Sequence, residues 1–453
     1  MTDPAFTQPR LSPPPVAPPR TVRLPTVAER TLPSGLRVLA VRRSSVPLVE
    51  LRLRIPLPGV AGRAGERHAA GVTMLAETLL TGTHRRDRLG LATALQALGG
   101  ALTASVDPDR LLISGSALAA GLADVLDLLA EVLTGATYPT DEVIGERDRV
   151  GQEITIARSQ PGVLAREALL HRLYPGHPYA LELPAAAAVA AVGPPALRRL
   201  HAGRVSPTGA TLVLVGDLRP AAALDTAESA LGDWPGRPGG AAVPPVPELA
   251  AGPVQIVDRP GAVQTNIRLA GPALDRRDPS YAAQQLANTV YGGYFTSRLV
   301  ANIREDKGYT YSPRSAVEHL SAASRLGVAA DVATEVTAPA LLEIWYELGR
   351  LCLLPVGADE LEAARRYATG SLALSTATQA GLASVLSGLV GAGLGIGYLR
   401  EHPAALAKVT PADLLEVAGR LFAPARLVGV LLGDAERIRG PLGTLAEVAV
   451  PPR

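Results

Sequence analysis

The chain has 453 residues and a net charge of +2, with 47% apolar residues against 19% charged ones. That balance supports a sizeable buried core, and 44 basic residues set against 42 acidic ones leave no field suited to nucleic acid. The single Cys352 excludes an intramolecular disulfide framework and a multi-cysteine zinc ribbon, and 4% aromatic residues are too few for a single-strand stacking platform.

Residues 1–26 read MTDPAFTQPRLSPPPVAPPRTVRLPT, with prolines where a signal peptide needs an apolar run. They predict a polyproline-like or disordered arm, and the lack of a signal predicts a cytoplasmic protein. A first domain is expected over 27–231. GLRVLAV and VPLVELRLRIP alternate like paired strands. Helices are expected over 71–80, 89–98, 119–133 and 141–159, the last capped by Thr140, and strands over 101–106 and 110–117. The apolar run ATLVLVGDL closes the domain as a buried strand. The Pro- and Gly-rich stretch 232–253 reads as a linker. The second domain, 254–453, repeats the pattern. PVQIVDRP and AVQTNIRLAGP pair as strands, a helix follows over 279–291, strands cover 309–318 and 324–332, and ARLVGVLLGD matches the earlier closing strand. The fold class is α+β, one sheet per half with helices packed on it.

Residues 367–399 carry no charge and are long enough to span a bilayer. Ser371, Ser375, Thr376, Thr378, Gln379 and Ser384 interrupt the stretch, and five glycines from 388 to 397 dilute it. It predicts a buried helix ending in a glycine-rich turn, with no membrane span. The segment GAGLGIG fits neither dinucleotide nor P-loop spacing.

Several segments then occur in a telling order: LPSGLRVLAV, ETLLTGT, LQALGGALTASVD, ERDRVGQEI, LYPGHPYA and VGDL, followed by GGYFTSRL and REDKGYTYS. In this order they resemble the pitrilysin-like family of zinc peptidases, which includes insulinase and the mitochondrial processing peptidase. The resemblance runs from about Leu24 onward. It implies two homologous domains, each a mostly antiparallel six-stranded sheet with packed helices, closing like a clam over substrate.

The family's metal motif is H-x-x-E-H, two histidines on one helix face with a glutamate base, completed by a distal glutamate. Alignment on ETLLTGT puts Thr73 at the first histidine, Ala76 at the base and Glu77 at the second histidine, while Glu153 matches the distal ligand. Carboxylates without imidazole make a poor zinc site. His68, His84, His171, His177, His201, His319 and His402 never occur four residues apart on one helix. The expectation is therefore no metal and no cofactor in this chain. The segment from Arg304 to Ser312 does match the family's arginine–tyrosine element. Arg304 is expected in the last turn of a helix stopped by Gly308, and Tyr311 on the next strand, on the face of Tyr309. Tyr294, Phe295 and Arg298 are expected to serve packing. The resemblance implies a zinc-less subunit of a two-chain metallopeptidase. The partner chain carries zinc, Arg304 and Tyr311 stabilise the oxyanion, and the substrate is a peptide or unfolded segment. The alternative is an inert assembly subunit of the same fold.

Overall fold

The computed structural model describes residues 24–236 and 242–451. Most of the expected N-terminal arm and residues 237–241 of the expected linker lie outside the described residues. The first sheet contains β1 (Val27–Thr31), β2 (Arg37–Arg42), β3 (Leu48–Pro56), β4 (Ala101–Asp107), β5 (Arg110–Leu118) and β6 (Thr211–Gly216), in the order β1-β2-β6-β3-β5-β4. The second contains β7 (Val254–Asp258), β8 (Gln264–Pro272), β9 (Arg314–His319), β10 (Ser324–Ala333), β11 (Val428–Gly433) and β12 (Val448–Ala449), in the order β12-β7-β11-β8-β10-β9. In each, a matching parallel pair (β2 with β6, β7 with β11) joins a run of antiparallel strands. The halves differ at one edge. β1 comes from the chain before β2 and runs antiparallel to it, whereas β12 is the C-terminal strand and runs parallel to β7.

Strand β3 alternates buried and half-buried residues, as a period of two requires. Strands β6 and β11 are buried at every position. A strand buried throughout needs cover on both faces of its sheet. In the first sheet, Leu212 and Leu214 face the half's own core, while Val213 and Val215 face Leu382, Leu386 and Leu389. Those leucines belong to the helix Gln379–Gly391, which comes from the second half of the chain. The second sheet mirrors this. Leu431 faces its own core, and Val428 and Val430 face Leu169, Leu170 and Leu173 of the first-half helix Pro161–Leu173. Each half thus lends one helix to the other's sheet.

Polar contacts fix the first of these helices. The Gln379 side chain donates to the carbonyls of Arg43, Val46 and Leu48, and Arg52 on β3 donates to Ser384 Oγ at 3.2 Å. The uncharged stretch is therefore two helices, Ala358–Ser375 and Gln379–Gly391, bent by 110° at the break. The single expected helix breaks because Thr378 caps a new one, accepting from Gly381 N. Among the described residues no single helix is long and apolar enough to cross a membrane, although this bent pair passes by length and composition together.

The paired glycines that end β6 and β11 answer to crowding. A Cβ on Gly216 would lie 2.4 Å from Leu48 O on β3, and one on Gly433 would lie 2.7 Å from Thr265 Oγ1 on β8. Thr140, expected as a cap, is the first residue of its helix (Thr140–Ser159), which follows Pro139. The expected strand over 309–318 begins only at Arg314, since Gly308 turns the backbone to φ +64° and Pro313 has no N–H for the ladder.

The exchanged helices predict joint unfolding. Leu386→Ala removes a buried side chain between the halves and should cost about 2–5 kcal/mol. Chemical denaturation followed through Trp234, in the first core, and Trp345, against the second, should give one shared transition that moves to lower denaturant in the variant.

Candidate functional site

The helix Gly65–Thr78 carries the degenerate motif. Thr73 and Glu77, four residues apart, share the face that lines a cavity of about 570 Å³, while Ala76 turns into the first core. The helix Thr140–Ser159 runs beside it and brings Glu153 to the same cavity. Glu77 and Glu153 meet through Arg149. Its guanidinium is ion-paired with Glu77, donates from Nη1 to Glu153 Oε1 at 2.6 Å, and donates from Nε to Glu146 Oε2 at 2.6 Å. Hydrogen bonding to Glu146 and Glu153 raises the Arg149 pKa against the cost of burial. Arg88 adds a second donor to Glu146 at 3.1 Å. The donor set that the structure shows beside the motif is one hydroxyl and two arginine-bound carboxylates; His68 also lines the cavity, but it lies against Pro58 O, and among the described residues no three His, Cys, Asp or Glu side chains are grouped to hold an ion. That set does not fit tetrahedral zinc.

The second half closes the far side of the cavity with Glu318, Leu320 and Arg325. Arg166, on the exchanged first-half helix, pairs with Glu182 at 2.7 Å and with Glu318 at 3.2 Å, and Arg325 also binds Glu318. Burial raises the Glu318 pKa, but Arg325 and Arg166 outweigh it and the net shift is downward. Tyr179 adds a neutral latch. It donates to Asp109 Oδ1 at 2.7 Å and accepts from Ala322 N at 3.0 Å, while Ser321 N donates to Asp109 Oδ2 at 2.7 Å. His177 Nδ1 accepts from Tyr179 N and Nε2 lies 3.0 Å from Pro244 O, so the ring pins the inter-half segment as the neutral Nε2–H tautomer. Sequence reading missed these residues. For Arg149 a signal existed: it sits three residues after Glu146 and four before Glu153, so all three share one helix face.

The arginine–tyrosine element lies elsewhere. Neither Arg304 nor Tyr311 lines this cavity. Arg304 lies in a widened helical turn, Ala301–Asp306, ended at Gly308, where Tyr309 N bonds Ile303 O. Its guanidinium stacks on the Phe295 ring at 4.6 Å, with Glu305 as ion partner at 3.2 Å. Tyr311 is 89% exposed in the segment before β9, and its hydroxyl has no hydrogen-bond partner among the described residues. Tyr309 packs against the second core, so the two tyrosines do not share a face as expected. Phe295 is 64% exposed and serves Arg304, whereas Arg298 does anchor the fold through a bidentate pair with Glu360, both bonds 2.7 Å.

The remaining histidines are held singly. His201 sits between Tyr138 and Leu133 O, and His68 lies against Pro58 O. Burial lowers the pKa of both, with Arg204 assisting at His68. His402 lies 2.5 Å from Gln285 Oε1 and stacks on Tyr398, and His319 bonds Ser324 and faces Tyr281. Burial first, then Arg276, lowers each of these to about 4. Burial pushes the Cys352 thiol up to about 11, which leaves little thiolate at neutral pH.

Comparisons with known proteins place the fold. The family model described as "Insulinase (Peptidase family M16)" matches residues 60–186, and that described as "Peptidase M16 inactive domain" matches residues 192–367. An uncharacterized zinc protease of Streptomyces coelicolor is 27% identical over 63% of this chain and 63% of its own length. The chain therefore spans less than two thirds of that relative. A second uncharacterized zinc protease, of Mycobacterium leprae, is 26% identical over 68% of this chain and 70% of its own. Among solved structures, a peptidase M16 inactive domain from Pseudomonas fluorescens superposes with a TM-score of 0.82 and 25% identity, over 90% of this chain and 98% of that one. A protease from Helicobacter pylori shares the fold at TM-score 0.82 and 18% identity, over 91% of this chain and 100% of that one.

The buried histidines set a pH dependence of stability. Between pH 6.5 and about 4, unfolded His319 and His402 take up protons that the folded protein excludes. Their contribution is complete above pH 6.5 and is lost as the pH falls through that window. Denaturation midpoints should decline across it, and the decline should flatten in His319→Asn/His402→Gln.

Proposed function

Because the chain belongs to the M16 (insulinase, pitrilysin-like) peptidase family but lacks its zinc motif, we propose that it is the non-metal-binding subunit of a two-chain zinc peptidase. The zinc-bearing partner is a homologous chain with an intact H-x-x-E-H, and the pair works on peptides or unfolded segments in the cytoplasm. One observation carries the reading: an arginine and a tyrosine are presented at the surface, away from this chain's own cavity. Among the described residues the tyrosine hydroxyl lacks an acceptor, and the arginine is held by a ring face and by Glu305 at Nε, with its two Nη groups left for a ligand.

The chemistry follows from the donors. When a nucleophile adds to a peptide carbonyl, negative charge collects on the oxygen. Arg304 offers a permanent cation with a rigid fork of N–H groups, and Tyr311 offers a neutral O–H. Donors already in place stabilise that charge without reorganising when the reaction occurs. Zinc, where bound, supplies the activated water, and in this reading it belongs to the partner. Substrate enters as an extended strand against a free sheet edge, for which β4 and β9 are available, each ending its sheet beside the cavity.

A second reading, an inert assembly subunit, draws on the Arg304–Glu305 pair, which partly satisfies the guanidinium within the chain. The two readings separate in one assay. Mixed with the zinc-bearing chain, the wild type should support peptide cleavage. Arg304→Ala should lower kcat by about 10²–10³, with Tyr311→Phe less severe and complex formation intact in both. If both variants turn over like wild type in an intact complex, the inert reading holds.

A further inference from the structure

Glu77 and Glu153 stand at two of the family's metal-ligand positions and are still held together. What holds them is a side chain. Arg149 directs all three guanidinium nitrogens at carboxylates: Nη2 at Glu77, Nη1 at Glu153 and Nε at Glu146. Glu77 is on one helix and the other three residues are on its neighbour, so the guanidinium joins the two helices. Glu146 is the most buried of the three carboxylates and needs a cation most. Among the described residues no group of three His, Cys, Asp or Glu is placed to hold a metal ion.

We infer that Arg149 takes the metal's place in this chain, a tethered cation that joins the motif helix to the glutamate helix and denies the site to a free ion. Three features support this beyond proximity. The guanidinium is always charged, so its hold on the carboxylates does not lapse at any physiological pH. Its fork matches carboxylates in the plane, whereas a tetrahedral ion needs ligands around it. And it engages Glu153, the one family ligand that remains in this sequence, so an entering ion has to displace a covalently tethered competitor. Loss of the metal motif is thereby compensated within the fold, and restoring the histidines alone does not restore the centre. This inference concerns the isolated chain and stands apart from the role proposed for Arg304 and Tyr311.

Two measurements on the full-length chain test it. In the first, thermal midpoints are read with and without millimolar manganese(II), an ion suited to carboxylate ligands. Arg149→Gln should melt lower than wild type, and manganese should recover part of the loss. It should leave wild type unmoved. Equal melting of wild type and variant overturns the inference, as does a manganese response in wild type that Glu77→Gln/Glu153→Gln abolishes. In the second, which serves if Arg149→Gln alone folds poorly, zinc affinity is titrated for Thr73→His/Glu77→His with Arg149 present and with Arg149→Gln added. Removing the arginine should tighten zinc by about ten-fold or more, the scale on which groups bound to a ligand affect a metal. Equal affinity in the two overturns the inference.

Discussion

The exchange of one helix between the halves is the contact on which the rest of this structure depends. A six-stranded sheet has two faces, and each half has helices of its own for only one of them. The central strands β6 and β11 are apolar at nearly every position, so leaving one face open would put a continuous patch of valine and leucine in water. The helix Gln379–Gly391 covers the first sheet and the helix Pro161–Leu173 covers the second. Neither half is complete without the other. The same exchange places Arg166 of the lent helix against Glu318 of the other half, so the helices that bury the sheets also bring charge across the cavity.

That constraint also sets where charge is paired around the cavity. Charges there are matched within the chain: Arg149 with Glu77, Glu146 and Glu153, and Arg166 and Arg325 with Glu318. A half-buried charge is costly unless it is paired, so a cavity lined this way is electrostatically finished and has little to offer a developing anion. Arg304 and Tyr311 stand apart from this cavity, Arg304 with only Glu305 as an ion partner among the described residues. They lie on a turn that the core fixes from beneath, through Ile303 and Tyr309, while their functional groups face outward.

Much of this was legible in the sequence, and the failures have physical causes. Strands with a clear period of two came within a residue of their observed ends: 101–106 against Ala101–Asp107, and 324–332 against Ser324–Ala333. The unbroken apolar runs at 211–216 and 428–433 announced buried strands, yet no local pattern says what covers a second face, because that cover comes from about 170 residues away in sequence for the first and about 260 for the second. The uncharged stretch was readable as buried, but its 110° bend follows from a threonine cap and from Gln379 reaching three carbonyls of the other half. Tyr311 was expected on a strand because Tyr-Thr-Tyr alternates. Gly308 and Pro313 delay the strand, and the ring is left in solvent.

The candidate sites show the same division. Absence of the two motif histidines at 73 and 77 is a fact of the sequence. What the remaining carboxylates do is a matter of packing. Glu77 and Glu153 lie 76 positions apart and meet only because their helices run side by side, and Arg149 becomes meaningful only at that crossing. Had these carboxylates been left to solvent, an ion could enter between them. With a guanidinium among them, their charge is already answered. In the reading proposed above, that leaves the first half without a metal and gives Arg304 and Tyr311 the task of meeting a charge that arises outside this chain.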